Sequence, residues 1–224
     1  MITQSKIFEV YEQQDNKRRQ LYTLNLVPGK TVYGEKLVKH GNLEYREWDV
    51  FKSKLASTIL KGSPSIFMRK NDVVLYLGCS TGTTVSHVSD IVGKEGFIFA
   101  VDIAPRVMRD LMFLAYERKN ICPVLVDANK LAELCERVSA VDVIFQDVAQ
   151  KGQVEIFLKN VNLFLKSGGY ALFAVKSRSI DVTKQPKAIF REVREKIEKH
   201  LTIIDYRELD PFQKDHCMFI CKKK

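Results

Sequence analysis

Four polar residues stand directly after apolar, strand-like runs in this chain of 224 residues. Asp102 ends the run FIFAVD, Asp127 ends VLVD, Asp147 follows VIFQ, and Lys176 follows ALFAV. The carboxyl ends of parallel strands meet at one edge of a sheet, and ligands bind there. Carboxylates accept hydrogen bonds, and a lysine can take up a proton or stabilise an anion. The spacing therefore predicts one polar site assembled from several strand ends.

A turn of small residues, GCSTG at 78–82, follows the first of these strands. Glycine lets the backbone approach a ligand closely, and a helix starting near Thr83 offers unpaired amides to an anion. The turn reads G-x-x-x-G and lacks the G-x-G-x-x-G spacing that a pyrophosphate cofactor prefers. Together with adenosine-directed acceptors downstream, the turn favours S-adenosylmethionine, whose carboxylate suits the amides near Thr83 and Thr84.

Each acceptor has an expected role and an alternative. Asp102 can accept from both ribose hydroxyls, and Asp127 can accept from an adenine amino group while Ala128 donates its backbone amide. Any one of these aspartates, taken alone, can instead serve as the N-cap of the next helix. Lys176, taken alone, fits an ordinary surface lysine. Their shared position behind a glycine turn favours the binding site.

A repeated strand and helix pattern positions these residues. Strands are predicted at 73–77, 97–101, 121–126, 141–146 and 170–175, and helices near 83–92, 106–119, 130–137, 150–165 and 186–199. This alternation predicts a mostly parallel sheet with helices on both faces. The last two segments, LTIIDYREL and DHCMFICKKK, have no helix between them. They predict a closing hairpin with an antiparallel final strand.

A small antiparallel β module is predicted for residues 1–46, from short alternating runs separated by the turn signals PG and GN. From Glu47 the apolar residues recur at helical spacing, which predicts a helix that ends at Gly62. The helical residues in this interpretation are Trp48, Phe51, Leu55 and Ile59. We place a domain boundary here, with a second domain at 47–224.

Charge and composition restrict the classes of partner and location. A net charge of +9 favours a polyanionic partner such as nucleic acid, although a basic soluble enzyme would also fit. No apolar run reaches the roughly 20 residues of a membrane helix. The polar start MITQSKIFEV does not resemble a signal peptide, so we expect an intracellular protein. The five cysteines lack zinc-site spacing and are expected to be reduced thiols, with no metal.

Several long motifs resemble the fibrillarin family, in its short archaeal form without a Gly-Arg-rich extension. The matching stretches are NLEYREWDVFKSKLASTIL, VLYLGCSTGTTVSHVSDIVG, VDVIFQDVAQ, GGYALFAVKSRSIDVT and FQKDHCMFI. They cover essentially the whole chain. The resemblance implies a Rossmann-like methyltransferase fold with a mostly parallel seven-stranded sheet, an antiparallel last strand and a small N-terminal β module.

The resemblance also implies an activity and partners. The implied enzyme is a 2′-O-methyltransferase that uses S-adenosyl-L-methionine on ribosomal and transfer RNA precursors. Its implied partners are a box C/D guide RNA, a substrate RNA, a Nop-domain scaffold protein and a kink-turn-binding ribosomal-type protein, with no membrane. The location would be cytoplasmic in an archaeon and nucleolar in eukaryotic relatives.

The family's functional residues fall on matching positions of this sequence. The implied catalytic set is Lys54, Asp147, Lys176 and His216. The implied cofactor residues, together with the small residues of the turn, are Gly78, Ser80, Gly82, Thr83, Thr84, Asp102, Ile103, Asp127, Ala128, Asp147, Val148, Ala149 and Gln150. Asp102 stands where many members have Glu, and Cys79 stands where a smaller residue is common.

Three other functions remain open from the residues alone. The chain could be a non-catalytic assembly subunit that retains a methyltransferase fold. A small-molecule O-methyltransferase is less favoured because the sequence contains no additional carboxylate cluster for a metal, and the positive charge favours an RNA substrate. Protein methylation is the third alternative. S-adenosylmethionine binding separates a scaffold from an enzyme.

Overall fold

The computed structural model describes residues 1–15 and 18–224, which form two sheets. The N-terminal sheet is antiparallel, with strands in the order β1-β2-β3-β5-β4. Its strands are β1 (Thr3–Gln4), β2 (Val10–Asp15), β3 (Arg18–Leu24), β4 (Leu37–His40) and β5 (Leu43–Trp48). The predicted N-terminal β module is therefore confirmed, whereas the exact boundary at residues 46 and 47 stays a prediction.

The second sheet has seven strands in the order β11-β12-β10-β9-β6-β7-β8. Its strands are β6 (Val73–Leu77), β7 (Phe97–Asp102), β8 (Ile121–Leu125), β9 (Val141–Gln146), β10 (Leu165–Lys176), β11 (Leu201–Glu208) and β12 (His216–Lys223). Strands β6 to β10 are parallel, and β12 lies antiparallel between β10 and β11. This arrangement confirms the predicted fold class and the closing hairpin.

Seven helices connect or flank these strands within the described residues. They are α1 (Lys54–Leu60), α2 (Thr83–Val92), α3 (Pro105–Glu117), α4 (Leu131–Cys135), α5 (Gln153–Phe164), α6 (Ser177–Ile180) and α7 (Pro186–Glu198). No helix within residues 1–15 and 18–224 is long and apolar enough to cross a bilayer.

The predicted helix from Glu47 is wrong at its start. Trp48 ends strand β5, where it pairs with Leu21 of β3. The helix begins only at Lys54, after the side chain of Ser53 accepts a hydrogen bond from the Ala56 amide at 3.3 Å. Trp48 packs into the same core as Leu55, so a strand residue and helix residues together produced an apparent helical spacing.

The N-terminal sheet and the large sheet share one hydrophobic core. Leu21 and Trp48 belong to the same buried cluster as Val74 of β6 and Val85 of α2. A second cluster covers the opposite face of the large sheet, under α5 and α7. The module therefore covers the face of the large sheet on which α2 lies.

A buried ionic network also joins the two sheets, and the carboxylate of Asp90 on α2 is its centre. Asp90 accepts hydrogen bonds from Arg46 at 2.8 Å and from Arg118 at 2.6 Å. It also accepts from the Thr23 hydroxyl at 2.7 Å and from the Leu26 amide at 2.9 Å. The two arginines can stay buried because each is paired with a carboxylate: Arg118 with Asp90, and Arg46 with both Asp90 and Glu35.

His87, one turn before Asp90, lies in the same interface. Its ring nitrogens contact the hydroxyls of Thr23 and Tyr33, each at 2.8 Å, and its ring stacks on Trp48. Burial, followed by the charges of two arginines, lowers the pKa of His87 well below its ordinary value. The ring is therefore neutral near pH 7, and it links the two sheets without adding a third buried cation.

Replacing the central carboxylate tests the importance of this network. We expect Asp90→Ala to lower the free energy of unfolding by about 3–5 kcal/mol, because Arg118 loses its carboxylate while staying buried. Urea denaturation measures the change. Asp110→Ala, at an exposed aspartate of α3, is the control and should change stability by less than about 0.5 kcal/mol. A loss below about 1 kcal/mol for Asp90→Ala would contradict the central role of Asp90.

Candidate active site

A cavity of about 310 Å³ opens at the carboxyl edge of the large sheet. Its lining comes from the end of β7 and from the segments that follow four neighbouring strands, β6, β7, β8 and β9. The lining residues are Gly78, Ser80, Val101, Asp102, Ile103, Val126, Ala128, Asp147, Val148, Ala149 and Gln150. The structure thus brings together at one edge most of the residues that the sequence assigned to a cofactor.

Asp102 links the glycine turn to the end of β7. One carboxylate oxygen accepts from the Ser80 amide at 2.9 Å, and the other accepts from the Ala104 amide at 3.0 Å. The amides of Gly78 and Cys79 donate to the carbonyl of Val101 in the same strand. A carboxylate has about four acceptor positions, so Asp102 can shape the turn and still accept from a ligand.

The two glycines of the turn are required by the protein's own packing. At Gly78, φ is +83°, and a Cβ would lie 2.4 Å from the carbonyl oxygen of Asp147. At Gly82, φ is +95°, which residues with a side chain rarely adopt, and a Cβ would also meet the methyl ends of Leu111 and Leu114 of α3. The sequence-based hypothesis explained both glycines by the approach of a ligand. The structure gives a different reason, although Gly78 also lines the cavity.

Thr83 and Thr84 begin helix α2, but their side chains do not line this cavity. Thr83 borders a different cavity, between residues 27–33 and α3. The Thr84 hydroxyl donates to Ser53 at 3.1 Å. Gly82 is the N-cap and provides no side-chain acceptor, so the first amides of α2 can pair with an anion. Any contribution of this pair to the site therefore comes from the backbone.

Asp127 and Ala128 form the segment after β8. Asp127 is half-buried, and one of its oxygens accepts from the Asn129 amide at 2.9 Å. Ala128 is buried in the cavity wall, and its carbonyl accepts from the side chain of Asn160 on α5 at 2.9 Å. Asp127 is not among the residues that line the cavity, although its neighbours Val126 and Ala128 are, so its role as an adenine acceptor stays a prediction.

Asp147 belongs both to the cavity and to a second group of polar residues. It lines the cavity, and its carboxylate pairs with Nζ of Lys54 at 2.9 Å. Lys54 is the first residue of α1, whose N-cap Ser53 also contacts Thr84 of α2. Both charged side chains are about one-fifth exposed, at 21% and 22%. The pair is therefore shielded from water but still reachable by a substrate.

Lys176 and His216 occupy facing positions on β10 and β12. The loop before His216 is fixed to the residue after Lys176, because the Ser177 amide donates to the Asp215 carbonyl at 3.1 Å. Nδ1 of His216 lies 2.6 Å from the carbonyl of Lys214, so Nδ1 carries the proton and Nε2 is free to accept. Lys176 itself is exposed.

The pKa of His216 indicates that the four proposed catalytic residues share one environment. Burial lowers this pKa most strongly, while the hydrogen bond to Lys214 raises it. The charges of Lys54 and Lys176 lower it further, and the charge of Asp147 raises it. Lys54, Asp147 and Lys176 therefore all lie close enough to His216 to affect its charge, although the four residues come from separate parts of the chain.

Three further residues of the site were absent from the sequence-based list. Val101 and Val126 form an apolar part of the cavity wall, and their position at the ends of strands β7 and β8 could have revealed them. Gln153 lies at the start of α5 and bonds to both Gln150 and Lys176. A glutamine in a helix carries no distinctive sequence signal.

Cys79 lies in the turn but has the properties of an unreactive thiol. Burial, followed by the nearby charge of Asp102, raises the pKa of Cys79 far above its ordinary value. The thiolate is the nucleophilic and readily oxidised form. The cysteine at this position therefore fills space in the turn without adding a reactive group.

Comparisons with known proteins agree with this geometry over the full length of the chain. The sequence profile of the family described as Fibrillarin matches residues 1–224. The fibrillarin-like rRNA/tRNA 2′-O-methyltransferase of Pyrococcus abyssi is 46% identical over 209 residues, which make up 93% of this chain and 92% of that protein.

Two solved structures are similar in both fold and sequence. Aeropyrum pernix fibrillarin, in complex with natively bound S-adenosyl-L-methionine, has a TM-score of 0.91 and 41% identity, and the match covers 99% of this chain and 97% of the other. The fibrillarin in a fibrillarin/Nop5p complex has a TM-score of 0.87 and 40% identity, with 97% and 99% covered.

The close approach at Gly78 gives a direct test of the turn. We expect Gly78→Ala to lower the free energy of unfolding more than Gly34→Ala, by about 1–3 kcal/mol, because only at Gly78 would the new Cβ meet backbone atoms. Gly34 has a similar φ of +79° and open space around it, so it controls for backbone strain. Thermal unfolding measures both variants. Equal losses would contradict the packing explanation.

Proposed function

The chain belongs to the fibrillarin family, and on this premise we propose that it is an S-adenosyl-L-methionine-dependent RNA 2′-O-methyltransferase. It methylates ribose in ribosomal RNA precursors and in transfer RNA, as the catalytic subunit of a box C/D ribonucleoprotein. The observation that carries the proposal is the double role of Asp147. This residue lines the cavity and also pairs with Lys54 in the polar group beside it.

The cavity fits the cofactor chemically. Asp102 would accept from the ribose hydroxyls, and Asp127 from the adenine amino group, while Val101 and Val126 supply apolar wall. The first amides of α2, at Thr83 and Thr84, would hold the carboxylate of the amino-acid end. The loop Asp147, Val148, Ala149 and Gln150 would close the wall opposite Asp102. When bound, the cofactor supplies a methyl group on a positively charged sulfur.

The chain's own residues would prepare the ribose hydroxyl. Lys176 contacts the target 2′-hydroxyl and either accepts its proton or stabilises the oxygen anion as it forms. Asp147 orients the lysines and offers negative charge beside the cofactor's sulfonium. Lys54 holds Asp147 in place through its 2.9 Å ion pair. His216, with Nε2 unprotonated, completes the polar surface around the hydroxyl.

Recognition of the RNA would depend on partners. The net charge of +9 favours contact with phosphates, and phosphate contacts alone do not read sequence. We therefore propose that a box C/D guide RNA selects the nucleotide. A Nop-domain scaffold would join the enzyme to the guide, a proposal supported by the similarity to fibrillarin in a complex with Nop5p. A kink-turn-binding ribosomal-type protein is the third proposed partner.

The two proposed domains, 1–46 and 47–224, contribute differently to the active site. The cavity and the four proposed catalytic residues all lie in 47–224. The N-terminal module reaches the site indirectly, through Arg46 and its contacts to α2. We propose that the module supports the position of α2 and takes no direct part in the reaction.

Asp102 provides the test of cofactor binding. We expect Asp102→Asn to weaken S-adenosylmethionine binding by about 10- to 100-fold, because the charged acceptor for the ribose is lost. Isothermal titration measures this affinity in the full chain. Asp110→Asn, at an exposed acid on α3, is the control. Equal affinity in the Asp102 variant would remove Asp102 from the cofactor site, and the absence of binding in the unchanged protein would favour a scaffold.

Lys176 provides the test of catalysis. We expect Lys176→Met to slow single-turnover methyl transfer by about 100- to 10,000-fold in a reconstituted guide complex. Cofactor affinity should stay unchanged, because Lys176 is outside the cavity lining. The matched control is Lys52→Met, since Lys52 is exposed and close to Lys54 in sequence. A rate near that of the wild type for Lys176→Met would exclude Lys176 from the mechanism.

A further inference from the structure

Helix α5 presents two buried side-chain amides toward the site. Gln153 and Asn160 are both fully buried and lie two helical turns apart, so they share one face of the helix. Asn160 donates to the carbonyl of Ala128 in the cavity wall. Gln153 bonds instead to Lys176. One helix therefore holds a cofactor segment with one amide and the lysine segment with the other.

The side chain of Gln153 makes two hydrogen bonds to the backbone of Lys176. Its side-chain oxygen accepts from the Lys176 amide at 3.1 Å, and its side-chain nitrogen donates to the Lys176 carbonyl at 3.2 Å. The same nitrogen donates to the carbonyl of Gln150 at 3.0 Å. The backbone at Lys176 is thereby tied both to α5 and to the loop that lines the cavity.

The sheet explains why this contact is needed. Strand β10 pairs with β9 only as far as Phe173 and Gln146, because the chain after β9 leaves the sheet to line the cavity. Beyond this point the amide of Lys176 has no acceptor on β9. The side-chain oxygen of Gln153 accepts its hydrogen bond instead. The backbone of Gln153 is fixed in turn, since its carbonyl accepts from the Gln146 side chain at 2.6 Å.

We propose that Gln153 is a positioning residue for methyl transfer, which holds the backbone of Lys176 opposite His216 and so sets the region that the lysine amine can reach. The amide is neutral and contacts the backbone of Lys176, so it sets the location of the amine without changing its charge. This inference rests on the function proposed above. It adds a residue that lies outside the cavity lining and reaches the cavity only through its hydrogen bond to the Gln150 carbonyl.

The test compares three positions on the same helix, using the full chain in the reconstituted guide complex. Gln153→Met keeps the length of the side chain and removes both hydrogen bonds to Lys176, together with the one to the Gln150 carbonyl. Asn160→Leu removes the contact to Ala128 while keeping a similar volume. Asn162→Ala, at an exposed position, controls for any change in α5. Single-turnover methyl transfer at saturating cofactor gives the rate, and isothermal titration gives the S-adenosylmethionine affinity.

We expect Gln153→Met to slow transfer by about 10- to 100-fold, with a smaller loss of cofactor affinity, because the lysine amine is displaced. Asn160→Leu should show the opposite division, with weaker cofactor binding and a nearly normal rate at saturation. Asn162→Ala should change neither quantity. A normal rate for Gln153→Met would overturn the proposal. So would equal losses of rate and affinity, since these indicate a general loosening of the fold.

Hydrogen exchange of the wild-type protein tests the contact without any substitution, and it decides the matter if Gln153→Met does not fold. The Lys176 amide should exchange slowly, as a hydrogen-bonded group does. Exchange at the rate of a free amide would overturn the proposal. Absence of methyl transfer by the wild type would instead contradict the proposed function, which distinguishes the two failures.

Discussion

The carboxylate of Asp90 is the interaction on which the arrangement of the chain depends. It pairs with Arg46 of the N-terminal sheet and with Arg118 after α3, and it also accepts from Thr23 and from the Leu26 amide. Burying these charges costs free energy that only close pairing offsets. The network therefore allows one relative position of the N-terminal sheet, α2 and the end of α3.

Helix α2 carries this constraint to the site. Its first residue follows the glycine turn, and Arg46 also donates to Ser86 in its second turn. The turn is further held by Asp102 and by the close approach of Gly78 to Asp147. Asp147, which joins the cavity to the proposed catalytic group, therefore packs directly against the glycine turn.

The sequence was sufficient to predict the large sheet and the polar residues at its carboxyl edge. Asp102, Asp127 and Asp147 were predicted because each follows an apolar strand, and parallel strands bring their ends together. The buried network was not predictable in this way. Arg46, Asp90 and Arg118 are far apart in sequence, and charged residues in amphipathic segments normally face water. Their burial depends on how the two sheets pack together, and no local sequence pattern predicts that packing.

Two other differences between the predicted and the observed structure have similar causes. Trp48 was assigned to a helix because residues of a strand and of α1 point into one core. Gln153 was not singled out because its partners, Gln150 and Lys176, are defined only once β10 extends beyond β9. Residues that hold other residues in place depend on tertiary contacts, whereas residues that end strands can be read from periodicity.

A crystal structure of this chain with S-adenosylmethionine would show which end of the cofactor meets which segment of the site. We predict the ribose at Asp102, the adenine beside Asp127 and Ala128, and the amino-acid end at the first amides of α2, near Thr83 and Thr84. The sulfonium would then face Asp147. A structure with the adenosine at Thr83 and Thr84 would contradict the account.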